Sequence, residues 1–271
     1  MSSPLHAEFY ADRAVQCAAT IVENVRLAKD TYRVRFHAPT IARRITPGQF
    51  VMLRLAGLND PLIGRPLALY DTVVSAAGEP EAVDVVYLVK GKLTSRLWQQ
   101  QPGQRLDVWG PLGNGFTMPR STTGTFLIAG GIGAPPITAL AEKLAMCRAS
   151  HGATMTVLLG GRSKADLLCI GDLKRVGAKI YVATEDGSAG HKGLVTELLE
   201  EVLHAAYFTS PHASATKRRH GGIYACGPYP MLAALAPIAK KYGLPYQASL
   251  EAGMACGFGA SRLSCLACTL S

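Results

Sequence analysis

The chain has 271 residues, 48% hydrophobic and 17% charged, enough apolar material for one large domain or two ordinary ones, which excludes a disordered chain. Its formal net charge of +9 comes from scattered lysines and arginines; the single basic run, Lys217-Arg218-Arg219, has no nucleic-acid motif beside it and reads as solvated surface. Apolar runs are too short to cross a bilayer, and Met1 to Gln16 carries His6, Glu8, Asp12 and Arg13 without an apolar core, so neither a membrane partner nor a signal peptide is expected and a cytoplasmic setting is.

From Cys17 to Trp109 the signals are those of strands. Val22, Val25, Val34 and Phe36 sit in short β-favouring runs, followed by Gln49 to Leu55, Pro66 to Tyr70, Val83 to Val89 and Arg105 to Trp109. Turn residues punctuate them at Pro47-Gly48, Asn59-Asp60-Pro61, Ala77 to Pro80 and Pro102-Gly103. Many short strands with frequent turns imply an antiparallel barrel or sandwich. One helix, Thr94 to Gln101, interrupts it.

The polar stretch Arg120 to Gly124 reads as a boundary, after which strand and helix alternate. Strands are expected at Thr125–Ala129, Thr154–Leu159, Lys179–Thr184, Ile223–Cys226 and Tyr246–Glu251. Helices are expected at Pro136–Ser150, near Lys164–Leu168, and at Leu194–Leu203 and Tyr229–Tyr242, with Thr209 to Gly221 as an exposed loop. This is a parallel, doubly wound pattern. A barrel joined to such a domain is a two-cofactor layout.

Three stretches carry the chemistry. Phe126-Leu127-Ile128-Ala129 enters Gly130-Gly131-Ile132-Gly133-Ala134-Pro135-Pro136, the pattern of strand, tight turn and helix start. Glycines let backbone N–H groups approach a ligand, a helix start favours negative charge, and a pyrophosphate suits both. The spacing is not G-x-G-x-x-G, and a purely structural strand-to-helix turn fits it too. In the barrel, Arg65 at a strand start can grip a phosphate, and Thr94 is an N-cap candidate for a second anion site. At the carboxyl ends of later strands stand Glu185-Asp186, a pair suited to ribose hydroxyls or to a solvated turn, and Cys226-Gly227-Pro228.

The order Arg65-Pro66, Gly91-Lys92-x-Thr94, Gly110 to Phe116, Gly130-Gly131-Ile132-Gly133-Ala134-Pro135 and Cys226-Gly227-Pro228 resembles the ferredoxin–NADP reductase superfamily. Three stretches narrow it: Thr184-Glu185-Asp186-Gly187-Ser188-x-Gly190-x-x-Gly193-x-Val195-Thr196, Tyr224 to Pro228, and Leu250-Glu251-x-x-Met254-x-Cys256-Gly257-x-Gly259. Together they are similar to the electron-transfer subunits of type B, NAD-dependent dihydroorotate dehydrogenases. The resemblance implies an N-terminal antiparallel Greek-key β-barrel for FAD (15–120), a doubly wound parallel α/β domain for NAD(H) (121–250) and a [2Fe-2S] segment (251–271).

By the same resemblance, FAD lies against Arg65, Pro66, Leu67, Ala68, Val86, Tyr87, Leu88, Leu93 and Thr94. NAD(H) lies against Gly130, Gly131, Gly133, Ala134, Pro135, Glu185, Asp186, Cys226, Gly227 and Pro228, with the acidic pair favouring NAD over NADP. Cys226 is placed near the nicotinamide, and no side-chain acid or base is required. Relatives carry Ser at the place of Ala68, Arg at Leu88 and Gly at Leu93, so one flavin hydrogen bond and one phosphate contact are missing here.

Three of the seven cysteines, Cys256, Cys265 and Cys268, are the implied cluster ligands. Ser261 stands where the family's C-x4-C-x2-C pattern has Cys, and taking Ser261 to Ser264 as an insertion restores it. A fourth Cys does not come after them, leaving open a truncated end, a degenerate cluster or an external fourth ligand. The implied partner is an FMN-containing dihydroorotate dehydrogenase catalytic subunit in a heterotetramer of pyrimidine synthesis. Two rivals stay open: a related reductase serving a ferredoxin or hydrogenase, and a cofactor-binding subunit that no longer transfers electrons.

Overall fold

The computed structural model describes residues 14–118, 124–148, 155–206, 221–250 and 257. The chain divides into two compact units, the first ending at Gly115 and also taking in Gly257, the second starting at Phe116.

In the first unit, β1 (Val15–Ala28), β2 (Thr31–His37), β3 (Phe50–Leu55), β4 (Arg65–Val74), β5 (Pro80–Leu88) and β6 (Arg105–Leu112) close into an antiparallel barrel in the order β1-β2-β5-β4-β3-β6. The period-2 pattern sets its inside. Val34, Phe36, Val83, Val85, Tyr87, Leu106 and Val108 are buried. Each such aliphatic or aromatic side chain contributes about 1.5–3 kcal/mol when withdrawn from water.

The alternate residues on β2 and β5 carry charge. Arg35 grips both carboxylate oxygens of Asp84 at 2.8 Å, and Asp84 is only 1% exposed. Arg33 adds an ion pair to Glu23 and lies 3.6 Å from Asp84. A one-turn helix, α1 (Pro39–Ala42), succeeds β2.

The helix expected over Thr94–Gln101 is a single turn, α2 (Thr94–Leu97). Beyond it the chain tightens into turns, with the Gln99 N–H on the Arg96 carbonyl at 3.3 Å and the Gln100 N–H on the Leu97 carbonyl at 3.0 Å, and the Asn24 side-chain amide of β1 donates to the Leu97 and Gln100 carbonyls at 2.8 and 3.1 Å. Leu93 and Leu97 are buried beneath it.

In the second unit, β7 (Phe126–Gly130), β8 (Thr156–Gly161), β9 (Lys179–Thr184), β10 (His191–Lys192), β11 (Ile223–Cys226) and β12 (Tyr246–Ser249) form a parallel sheet ordered β10-β9-β8-β7-β11-β12. The helices are α3 (Ala134–Arg148), α4 (Ile170–Arg175), α5 (Val195–His204) and α6 (Tyr229–Tyr242). Ile128, Leu158, Ala225, Leu199, Leu203 and Leu235 join in one core. The chain steps outward from β7 to β10 and then returns to β11 on the other side of β7. The topological switch point, where open α/β sheets bind ligands, therefore lies between β7 and β11.

The helix expected near Lys164–Leu168 is a 3-10 turn, Lys164–Asp166, closed by a Ser163–Asp166 capping box. The short α4 and β10 are additional to the expected elements, being too brief to show a period in the sequence. At the unit boundary, Phe116 and Thr117 already belong to the second unit, ahead of the polar stretch. The Gln247 side chain pairs with both backbone groups of Thr117, and the Tyr224 hydroxyl donates to the Thr117 carbonyl at 3.0 Å.

Candidate functional site: two cofactor faces

At the switch point, four glycines divide into two jobs. A Cβ on Gly133 would run into the Cys226 carbonyl and come 2.7 Å from the Gly227 nitrogen. One on Gly130 would meet Met231 Sδ at 2.8 Å and Pro228 Cδ at 2.9 Å, and one on Gly227 the Met231 methyl at 2.6 Å. These three allow the β7–α3 and β11–α6 loops to touch. Gly131 differs: its φ is +53° and nothing lies within 4 Å of its Cβ position. It is the glycine that faces open space, at a conformation L side chains avoid. Ala134 and Pro135, buried, start α3. Pro135 and Pro136 carry no N–H, so the donors of this turn come from the glycine loop itself.

Cys226, 6% exposed, ends β11 beside Ala129 of β7 and Ser249 of β12. It is not in a disulfide.

The loop between β9 and β10 is wired internally. The buried Thr184 hydroxyl accepts the Ala189 N–H at 3.0 Å and donates to its carbonyl at 2.8 Å. Asp186 accepts the Ser188 hydroxyl at 2.6 Å and its N–H at 2.9 Å, and these bonds hold the Asp186 carboxyl below the usual aspartate range. Ser188 in turn accepts the Lys164 N–H at 2.7 Å. Both acidic residues are exposed, and of the two Asp186 is engaged in building the loop. His191 sits 3.5 Å from Glu201 and 3.8 Å from Glu197 of α5.

On the barrel, Arg65 opens β4 and is exposed. Its guanidinium reaches only adjacent carbonyls, Gly64 at 3.2 Å and Ile63 at 3.5 Å, and has no carboxylate partner among the described residues. It is a cation in search of an anion. Pro66, Leu67 and Ala68 come next, half-buried. On β5, Val86 is buried and Leu88 is 39% exposed. Between them Tyr87 points inward, donating to Asn24 Oδ1 at 3.0 Å and stacking on Tyr32 with ring centroids 5.9 Å apart. Burial pushes its hydroxyl far above the usual tyrosine value. The Tyr87 ring is therefore core, and only its main chain lies along the outer face. Leu93 likewise sends its side chain into the barrel.

Thr94 is not an N-cap. Leu93 holds that position in helical conformation without a side-chain cap bond. The Thr94 hydroxyl instead turns back to accept the Lys90 and Gly91 N–H groups, each at 3.0 Å. Those amides are spoken for, and a four-residue turn offers no helix-start anion site. What the turn does present is Gly91, exposed and with open space at its Cβ position. Lys92 and Arg96 tie it to Asp60 at 2.6 and 3.2 Å.

The comparisons with known proteins agree with this geometry. The Oxidoreductase FAD-binding domain family matches residues 18–116 and the Oxidoreductase NAD-binding domain family residues 127–236. The chain is 36% identical over 253 residues to the dihydroorotate dehydrogenase B (NAD(+)) electron transfer subunit of Desulforamulus reducens, covering 93% of this chain and 87% of that one. The chain belongs to that family of electron transfer subunits. Its member from Geobacillus thermodenitrificans is also 36% identical, over 92% of this chain and 86% of its own.

Among solved structures, an NADH-dependent reduced ferredoxin-NADP oxidoreductase superposes with a TM-score of 0.73 at 28% identity, over 91% of this chain and 80% of that chain. A ferredoxin reductase of carbazole 1,9a-dioxygenase shares the fold, with a TM-score of 0.70 at 18% identity over 87% of this chain and 69% of its own. The family is thus that of flavin- and nicotinamide-dependent oxidoreductases built from a barrel and a parallel α/β domain.

Cys256, Cys265 and Cys268 lie outside the described residues, as do Glu251, Met254 and Lys217 to Arg219. Among the described residues no cluster of His, Cys, Asp and Glu could hold a metal, and no helix is long and apolar enough to cross a membrane. Sequence reasoning gave Asn24, Met231 and Asp60 no part in these faces, and quoted Ser188 only as a member of a motif. Of the three without a role, Met231 left a signal, lying five residues after Cys226 in the first turn of α6.

Proposed function

We infer that the chain passes electrons from NAD(H) through FAD to a dihydroorotate dehydrogenase catalytic subunit in pyrimidine synthesis. The partner is FMN-containing and the assembly a heterotetramer. What supports the reading is that both halves of a two-cofactor layout are intact in one chain of this family. On the barrel, the Arg65 guanidinium, with no carboxylate partner among the described residues, fits an anionic dinucleotide. The Gly131 turn at the switch point, with open space at its Cβ position, fits a second.

FAD, when bound, would accept one hydride, an electron pair, and could release the two electrons singly. The residues of this chain position it. Arg65 neutralises a pyrophosphate with a planar donor fork. Ala68 and Leu88 line the outer strand face. On the second unit, the Gly131 turn directs backbone N–H groups to the nicotinamide dinucleotide's pyrophosphate, and packing of Gly133 on Cys226-Gly227 fixes that loop. Glu185 accepts ribose hydroxyls and repels a 2′-phosphate, favouring NAD over NADP. Cys226 lines the nicotinamide position without moving a proton. Cys256, Cys265 and Cys268 supply three of the four thiolates that a [2Fe-2S] cluster takes; hydride capture requires none of them.

The test is the visible spectrum of the purified full chain, then anaerobic titration with NADH and with NADPH. Flavin bands that bleach with NADH at lower concentration than with NADPH are expected. Absence of flavin absorbance even after added FAD would refute the reading. Iron and sulfide analysis with an EPR spectrum of the reduced protein, alone and co-expressed with a catalytic subunit, tests the cluster and the partner.

A further inference from the structure

The chain passes from the first unit to the second between Gly115 and Phe116, and each unit fastens its own side of the crossing. On the barrel side, the Gln49 side-chain amide donates to the Gly113 carbonyl at 2.9 Å, and its oxygen accepts the Thr46 N–H at 2.9 Å. A Cβ on Gly113 would meet the Phe50 ring at 2.8 Å, and one on Gly115 the Thr46 hydroxyl at 2.6 Å. On the other side, the Phe116 ring stands edge-on to Tyr224, with centroids 5.8 Å apart. The Thr117 N–H donates to Gln247 Oε1 at 2.9 Å, and its carbonyl accepts Gln247 Nε2 at 3.1 Å and the Tyr224 hydroxyl at 3.0 Å. The handover is thereby narrowed to the Gly115–Phe116 peptide bond.

The sheet does not need this clamp. Tyr224 and Gln247 are register partners on β11 and β12, which already pair with each other, and β11 pairs with β7 besides. Thr117 is exposed, so water would satisfy its backbone groups equally well. What the clamp adds is a tie between two crossings. β12 ends at Ser249, and the chain is back in the first unit at Gly257, where a Cβ would lie 2.8 Å from Leu112 Cδ1, one residue before Gly113. Gln247 thus joins the first crossing to the strand from which the second departs. One link leaves two bodies free to turn about it; two links tied together remove most of that freedom. Hinges commonly consist of a few residues at element ends, as here.

We propose that Gln247 and Tyr224 are positioning residues: by clamping Thr117 they fix the course of the chain from one unit to the other, and so set the rate of hydride transfer without setting the affinity for either cofactor. The inference rests on the FAD and NAD(H) reading under Proposed function. In that step one hydride leaves NADH, which becomes NAD(+), and the flavin is reduced by two electrons. Transfer between groups held by separate units depends on how well each is oriented toward the other.

The experiment is anaerobic stopped-flow reduction of the full, FAD-loaded chain over a range of NADH concentrations, which separates the limiting rate from the NADH dissociation constant. Gln247→Ala removes two of the three bonds to Thr117. The double variant Tyr224→Phe with Gln247→Ala removes all three and keeps the ring against Phe116. Gln49→Ala loosens the crossing from the barrel side. Gln247→Ala and Gln49→Ala should each lower the limiting rate roughly fivefold or more, and the double variant further, with NADH and FAD dissociation constants within about twofold of the parent.

A loss of NADH or FAD affinity at an unchanged limiting rate would overturn the proposal, because each residue would then serve only its own unit. Unchanged rate and affinity in Gln247→Ala would overturn it too. Should the double variant lack the parent's circular dichroism, the two single alanine variants, at half-buried positions, decide the matter alone. If NADH does not reduce the FAD-loaded parent, the reading under Proposed function fails first, and the proposal with it.

Discussion

Replacing Gly133 by alanine tests the two-job account of the switch-point glycines. The added methyl would occupy the space of the Cys226 carbonyl and lie 2.7 Å from the Gly227 nitrogen. Both obstacles are backbone, so no side chain can swing away, and α3 must shift from β11. Overpacking costs about 1–3 kcal/mol, and a rigid obstacle places this variant near 3, roughly a hundredfold in the folding equilibrium. Gly131→Ala is the control. Its Cβ meets nothing within 4 Å, and the cost is confined to holding alanine at φ +53°, about 1 kcal/mol. That methyl, however, projects into the space assigned to the dinucleotide. Urea unfolding monitored by circular dichroism should rank Gly133→Ala as clearly the less stable. Stopped-flow reduction of bound flavin by NADH should show Gly131→Ala with a raised NADH dissociation constant out of proportion to its stability. Equal stability of the two variants, or unaltered NADH binding by Gly131→Ala, would refute the reasoning.

Three further outcomes are expected. Asp84→Ala leaves Arg35 without its bidentate partner against the barrel wall and should cost about 3 kcal/mol, read as a lower urea midpoint; Asp84→Asn should cost less. Ser188→Ala removes the hydroxyl that binds Asp186 and accepts the Lys164 N–H, loosening the loop that carries Glu185, so the NADH KM should rise roughly fivefold at constant kcat. In the parent chain that Asp186 contribution is present above the ordinary aspartate value of 3.8 and is lost as the pH falls through its depressed one. At alkaline pH the sign reverses: burial pushes the Tyr246 hydroxyl from the ordinary 10.0 up to about 12, so stability present below pH 10 should fall as the pH rises toward 12. Urea midpoints across that window, read beside tyrosinate absorbance, check it; a flat midpoint would contradict the assigned burial.

The local pattern carried much of this. The strands Lys179–Thr184 and Ile223–Cys226 and the helix Tyr229–Tyr242 were legible residue by residue, and the barrel strands in place but not in extent, β4 running Arg65–Val74 where Pro66 to Tyr70 is expected, because each core of a run depends on neighbours within a few positions. The helix Tyr229–Tyr242 even shows its stop, Gly243 in the left-handed region at φ 65°. Arg65, the glycine turn and Cys226-Gly227-Pro228 were also found by motif order, which fixes their place at strand ends.

Roles that depend on a partner far along the chain were not legible. Thr94 looks like a cap because the residues after it form a helical pattern; the fold turns its hydroxyl back onto Lys90 and Gly91. Tyr87 reads as a cofactor contact until the barrel closes and strand alternation sends its ring inward against Tyr32. Asn24 carries no motif at all, and its hydrogen bonds exist only because folding brings Leu97 and Gln100 to it. The sequence by itself determined the elements, their order and the two glycine-bearing turns, since propensity and periodicity are local. Tertiary structure alone decided which glycine faces open space and which faces a neighbouring loop, because that is a matter of contact between segments roughly a hundred residues apart, which no local pattern records.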